Sequence, residues 1–359
     1  MGFFYEHFKM LMKEGCEIEL ACGTAKPISE KIASLNLPTH TISFSRSPLC
    51  KDNLKAYAQL KKLIENGNYD IVHCHTPNAS VITRLVCRNF RKKNGLKVFY
   101  TAHGFHFYKG APKLNWMVYY PVEKFCSRFT DKLITINKED YELAKNKFKA
   151  KEVHYVPGVG VDLSKFENVQ VDRNEKRREI GVPEDAFLLF SVGELNENKN
   201  HQIIIRALAK LNDSNVHYAI AGAGDKKEYL LTLADELGVA EQVHLLGYRK
   251  DIAELNYVAD VFCFPSIREG LPVSPIEAMA CGVPVVAAKN RGTIEIVVPN
   301  ENGFLFEYQN VDAVASSIKK LMDDKSLFKK FSEKAPSSVN QFRIEIIINI
   351  MRNLYEKSF

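Results

Sequence analysis

Short β-branched runs alternate with helical patterns along almost the whole chain, and this alternation restricts the fold more than any other feature. Runs at Glu17–Cys22, Thr39–Phe44, Tyr69–His75, Lys97–His103, Asp131–Asn137 and Val153–Pro157 predict strands in the first half. Helical patterns lie between them, as at Asn53–Asn66 and Ala79–Arg91. Strands separated by helices return in one direction, so the sheet that they build is parallel. The second half repeats the pattern with near-continuous apolar runs at Phe187–Val192, Val216–Ala221, Val243–Leu246, Asp260–Pro265 and Pro284–Ala288. A chain of 359 residues is also too long for one ordinary core.

The expected class is therefore α/β, with two Rossmann-like, doubly wound domains. The pattern breaks at VPGVGVDLSKF, where Pro157, Gly158 and Gly160 interrupt it and a charged stretch follows. This divides the chain into residues 1–160, 161–335 and a C-terminal helical segment, 336–359, free to pack back on the first domain. In sheets of this kind ligands bind beyond the carboxyl ends of the strands. The segments to search are Gly193–Asn200, Gly222–Asp225, Gly247–Lys250, Ser266–Ser274 and Lys289–Thr293. One feature departs from the plan. The first element already reads as a helix, Phe3–Lys13, and Cys16–Cys22 reads as a second strand. The opening strand and its glycine-containing loop are missing from the pattern, so the expectation is that Met1 is an internal methionine of a longer protein, or that the chain is a truncated form.

The net charge of +6 suits anionic ligands or an anionic membrane face and is too weak to argue for nucleic acid. No apolar run reaches the roughly 18 residues of a membrane span. The start, MGFFYEHFKMLMKEG, lacks the basic opening and cleavage site of a signal peptide. Eight cysteines are scattered without a C-x-x-C pair and read as small core residues in a reducing cytoplasm. His73 and His75 share one face of a strand, with Cys74 on the other. A metal site there needs further ligands that the sequence does not supply, so none is expected.

The densest signal is EGLPVSPIEAMACGVPVVA, from Glu269 to Ala287, which follows a strand. Ser274 at N-cap and Pro275 at N1 suit a helix start. The amides of such a start can hold a phosphate. Glu269 before the helix and Glu277 about one turn inside it can grip an elongated ligand at two points. Lys199, in the loop SVGELNENKN, is suited to a charge-assisted phosphate contact. Gly222 begins a G-x-G turn between strand and helix. His103 ends the strand of YTAHGFHFY, where a histidine can donate to a hydroxyl or phosphate. Arg84, Arg88 and Arg91 fall on one helical face by their spacing, either as a solvated face or as a contact for an anionic membrane or lipid diphosphate.

Taken together, these segments resemble the GT-B glycosyltransferases of family 4, over nearly all of the chain. The run from Glu269 to Ala287 resembles that family's E-x7-E segment. The resemblance implies that Glu269 contacts the transferred sugar and Glu277 the ribose hydroxyls, with Gly270, Leu271, Pro272 and Val273 along the sugar and diphosphate. Lys199 matches the lysine that neutralises the diphosphate, and Gly193 lies in the same loop. Glu194 stands where the family usually carries an arginine, so one cation is missing or comes from Arg249 or Arg268. Gly222 lies near the nucleotide, and Tyr248 passes the base or forms an aromatic rim. His103 matches the acceptor-side histidine. These roles make His103, Lys199 and Glu269 the candidate catalytic residues.

The implied reaction is retaining transfer of a sugar from a nucleoside diphosphate, expected to be UDP, to a glycan or lipid-diphosphate acceptor at the inner, cytoplasmic face of the membrane. The resemblance is nearest to bacterial exopolysaccharide and capsule enzymes and implies no cofactor or metal. The alternatives are an epimerase of the same fold, which needs no acceptor, and a silent nucleotide-sugar binding subunit. A nicotinamide dehydrogenase lacks support, because the G-x-G-x-x-G loop with its later acidic residue is absent.

Overall fold

The computed structural model describes residues 4–23, 27–45, 47, 50–93 and 95–358. The chain forms two compact units: the residues up to Gly160 together with those from Ile344 onward, and Val161–Arg343. The helix Lys325–Ser338 lies wholly in the second unit, so the division falls after Arg343 and not at 335.

The first unit holds β1 (Leu20–Cys22), β2 (Thr39–Thr41), β3 (Ile71–His75), β4 (Lys97–Ala102), β5 (Lys132–Thr135) and β6 (Glu152–Tyr155). Strands β3 to β6 pair in chain order as one parallel sheet, and β1 and β2 form a parallel pair of their own. Among the described residues no strand pairs with the outer edge of β3. The predicted opening helix runs from Tyr5 to Lys13; its expected first residue, Phe3, lies outside the described residues. The helix Ile344–Glu356 closes this unit. Ile347, Met351 and Leu354 recur at helical spacing and pack with Met10, Ile134 and Val156.

The second unit holds β7 (Phe187–Val192), β8 (Val216–Ala221), β9 (Val243–Gly247), β10 (Val261–Phe264), β11 (Val285–Ala288) and β12 (Gly303–Phe306) in one parallel sheet. The order is β12-β11-β10-β7-β8-β9. Every residue of β8, β10 and β11 is buried, as expected of strands covered on both faces. The sequence pattern did not predict β12. All eight cysteines are free thiols, and Cys74, Cys87, Cys126 and Cys263 are buried.

The row of arginines needs correction. The predicted helix Ala79–Arg91 is two helices, Pro77–Cys87 and Phe90–Lys93. Arg84 points into the core. It donates to Glu123 Oε2 at 2.8 Å and to Ser80 O at 3.0 Å, and lies 4.2 Å over the Tyr100 ring. Arg91 grips Asp131 through two nitrogens, at 2.8 and 2.5 Å. Of the three, Arg88 alone is exposed, so Arg84, Arg88 and Arg91 do not form one basic face. The reason is physical: a buried carboxylate, Glu123, offers Arg84 a partner in a place where its aliphatic stem also packs.

Removing one partner of a buried ion pair leaves the other charge uncompensated. Glu123→Ala should therefore cost about 3–5 kcal/mol of stability in urea unfolding, whereas Arg84→Met with Glu123→Leu should cost much less. A Glu123→Ala loss below about 1 kcal/mol would show that the pair is not held in the core as described.

Candidate active site

In the second unit β8 and β9 extend to one side of β7, and β10 returns on the other. The chain therefore reverses its direction across the sheet between β7 and β10. Loops that leave such neighbours part from one another and open a crevice at the carboxyl edge. The loops in question are residues 193–200 and 265–272, and they meet. Lys199 Nζ donates to Glu269 Oε1 at 2.8 Å, with both side chains partly buried, and the ammonium lies 5.1 Å from the Phe264 ring centre. Ile267 N donates to Asn198 O at 2.8 Å, and Asn198 Nδ2 to Arg268 O at 3.1 Å. These bonds fix the backbone around the ion pair.

The loop after β8 supports the same place from behind. Leu195 N donates to Ala223 O and Gly193 N to Ala221 O, both at 3.0 Å. At Gly222 the approach is so close that a Cβ would stand 1.8 Å from Gly193 O. Only glycine lets these two turns pack. Lys199 lays its aliphatic stem over Gly193.

The helix after β10 spans Val273–Ala280. Its N-cap is Pro272, so the start lies two residues earlier than the sequence suggests, and Ser274 and Pro275 sit inside the first turn. A proline there is tolerated because its missing N–H has no partner within the helix. The amides of Val273 and Ser274 belong to that same unpaired turn. Glu277 follows one turn on. Burial pushes its carboxyl up to about 7, and Lys165 opposes this in part. Glu277 and Glu269 thus sit in different electrostatic settings: Glu269 holds an ammonium, and Glu277 is half-buried and poorly solvated.

Arg249 is not at the disposal of the loops. Its guanidinium bonds Asp251 at 2.8 and 2.5 Å and Glu179 at 2.5 Å. Tyr248 beside it is 80% exposed. Arg268 is exposed, as is Glu194, which accepts from Asn196 Nδ2 at 3.0 Å. The arrangement includes one residue that the sequence reading missed. Arg291, buried, donates from Nε to Glu269 O at 3.2 Å. Next to it a Cβ on Gly292 would lie 2.8 Å from Pro272 Cδ and 2.9 Å from Gly270 O, so the loop after β11 is pressed against the Glu269 loop. The available signal was position: Lys289–Thr293 follows a strand of the same sheet.

In the first unit His103 lies just beyond β4, within 3.2 Å of His75 at the end of β3. His73 and His75 do share a face, their rings stacked at 4.3 Å, and Cys74 donates to Phe99 O on the other side. His73 is taken up by Tyr355 Oη at 2.5 Å and Thr101 Oγ1 at 2.8 Å. Burial lowers His103 to about 4, so at neutral pH its ring is uncharged, with one nitrogen that donates and one that accepts.

Two family models match the chain: "Glycosyl transferases group 1" over residues 172–338 and "Glycosyl transferase 4-like" over residues 2–137. The chain is 38% identical over 358 residues to a Bacillus subtilis protein that carries the name glycosyltransferase EpsD, with 99% of this chain and 92% of that one covered. It is 27% identical to an Escherichia coli UDP-Gal:alpha-D-GlcNAc-diphosphoundecaprenol alpha-1,3-galactosyltransferase, with 98% and 91% covered. Among solved structures, Anabaena HepE in complex with UDP and glucose superposes with a TM-score of 0.81 at 20% identity, over 99% of this chain and 96% of that one. That last likeness speaks for the fold alone, which is GT-B. With the E-x7-E loop joined to Lys199 on a doubly wound parallel sheet, the chain belongs to the group 1, family 4-like glycosyltransferases and is a glycosyltransferase.

Proposed function

We propose that this enzyme transfers a hexosyl or N-acetylhexosaminyl group from a UDP-sugar, with retention, to a lipid-linked glycan in surface polysaccharide synthesis. The observation that carries the reading is the 2.8 Å contact between Lys199 and Glu269 at the reversal of the strand order. A lysine already held beside a carboxylate, in a crevice with a helix N-terminus, suits a ligand with a diphosphate next to a sugar. In this reading Lys199 and the Val273 and Ser274 amides receive the diphosphate without a divalent cation. Glu269 turns to the sugar, and Glu277 accepts from the ribose hydroxyls. The backbone at Gly270, Leu271 and Pro272 lies along the donor in this reading, and Gly193 and Gly222 let the two turns beside it pack.

The chemistry then needs no protein nucleophile. The bond from the anomeric carbon to the diphosphate oxygen breaks, and the acceptor hydroxyl bonds that carbon on the same face. Its proton passes to the leaving phosphate. Lys199 stabilises the charge that grows on that phosphate, and this is where the rate gain arises. His103 serves the acceptor side in this reading, as a neutral donor to a hydroxyl or phosphate. Relatives support the acceptor class: besides the galactosyltransferase, a Campylobacter jejuni protein 25% identical over 340 residues is named N,N'-diacetylbacillosaminyl-diphospho-undecaprenol alpha-1,3-N-acetylgalactosaminyltransferase.

UDP should raise the melting temperature of the protein in the presence of a chelator, since a ligand of the native state stabilises it. Lys199→Ala should weaken UDP binding by about tenfold or more, the loss of one charge-assisted contact. No shift with UDP, GDP or ADP in the intact protein would overturn donor binding.

The two glutamates should separate. Glu277→Gln should mainly weaken UDP binding, while Glu269→Gln should slow transfer and leave UDP affinity nearly unchanged. Equal loss of affinity in both would end this division of roles.

A pH dependence follows from Glu277. Its folded pKa of about 7 lies above the ordinary 4.5, so the free protein gains its carboxylate only as pH rises through about 7. As the ionised form accepts two hydroxyls, UDP affinity should increase between pH 6 and pH 8, by up to about tenfold. Glu277→Gln should flatten that profile relative to the parent, which also controls for the titration of UDP itself; an unchanged slope in the variant would refute the assignment.

A further inference from the structure

We infer that the outer face of the helix Lys113–Cys126 is a docking surface for an anionic membrane. Leu114, Met117, Val118, Val122 and Phe125 follow one another at spacings of three, one, four and three residues, which is one stripe of a helix. All five are exposed, Leu114 at 68% and Met117 at 73%, and Pro121 extends the stripe. The other exposed large apolar residues among those described are scattered, which is ordinary for a surface; a continuous stripe is not.

Charge identifies the occupant. Between Lys113 and Arg128 the one acidic residue is Glu123, and it is turned inward against Arg84. The outward residues Lys113, Lys124 and Arg128 are all cations, and Arg128 lies 5.8 Å over the Phe125 ring. An apolar stripe flanked by cations fits an interface of acyl chains and anionic headgroups. A second copy of the chain fits poorly, because a two-fold dimer lays the same patch on itself and sets these cations against one another.

The helix is tied to the segment that follows the acceptor-side histidine, His103. Tyr119, on the inner side of this helix, stacks on His106 at 4.7 Å. Asn115 Nδ2 donates to His106 O at 2.9 Å, and Trp116 Nε1 to Tyr108 O at 3.2 Å. The segment that begins at His103 is thus tied to the helix. The inference rests on the proposed lipid-linked acceptor, whose reactive end lies at a membrane surface, and it names the residues that would bring the enzyme there. It also moves the membrane contact from the row Arg84, Arg88 and Arg91, of which the first and last are engaged inside the unit, to a different helix.

The test uses the full chain in co-sedimentation with vesicles of phosphatidylethanolamine and phosphatidylglycerol, and with vesicles of phosphatidylcholine alone. The parent should bind the anionic vesicles and prefer them to the neutral ones. Met117→Glu with Phe125→Glu should weaken that binding by at least about tenfold, since two apolar anchors are lost and two like charges added. Lys113→Gln with Lys124→Gln should reduce the preference for the anionic vesicles. These side chains face solvent, so both variants should keep the parental circular dichroism and UDP melting shift. A parent that binds neither vesicle, or a Met117/Phe125 variant that binds as well as the parent, overturns the inference. So does a parent that is a dimer by sedimentation equilibrium and becomes monomeric in that variant. The UDP shift is read on the same samples: its loss with vesicle binding intact would overturn the donor reading and leave this surface standing.

Discussion

Parallel pairing is the constraint from which the candidate site follows. Each strand of the second unit must leave its sheet at the same edge, and each return must pass over a face. Once β10 lies beside β7 on the side away from β8, the loops that carry Lys199 and Glu269 have nowhere to go but outward around one crevice. The other end of the same strands is fixed by charge. Asp260, just before β10, accepts from Leu188 N at 2.7 Å and from Arg177 at 2.8 Å, and so aligns the starts of β7 and β10. The 2.8 Å contact between Lys199 and Glu269 lies at the other edge of these same two strands.

The electrostatics of the loops are economical in cations. Lys199 has Glu269 as its counter-ion, Arg249 has Asp251 and Glu179, and the position before Leu195 carries a glutamate. The Lys199–Glu269 pair is close to net neutral and, being partly buried, is screened less by salt than an exposed pair. Arg291 contributes differently. By holding the Glu269 carbonyl it braces the backbone from which that carboxylate projects.

Much of this was legible in the chain because its signals are local. Strand runs such as Phe187–Val192 are written in consecutive apolar residues, and the E-x7-E spacing is written within one turn and one helix. The failures share a cause: they depend on partners distant in sequence. Arg84 reads as a surface cation until Glu123, 39 residues away, is seen to face it in the core. Arg249 reads as an unengaged cation until Glu179 is seen beside it. Ser274 and Pro275 are good helix-start residues, yet the helix begins at Val273, because the turn at Pro272 is set by the close approach of Gly292. β12 has too few residues, Gly303–Phe306, to announce itself without β11 as a neighbour.

The helix Ile344–Glu356 belongs to the unit that the chain left at Gly160. In topological terms Val161–Arg343 is an insertion within the other unit. This gives biosynthesis an order. On the ribosome the inserted unit can be complete and folded while Met10, Ile134 and Val156 still wait for Ile347, Met351 and Leu354 to emerge. The residues up to Gly160 are therefore completed only after the inserted unit has been made, and until the helix Ile344–Glu356 docks, their apolar underside is open to chaperones and proteases.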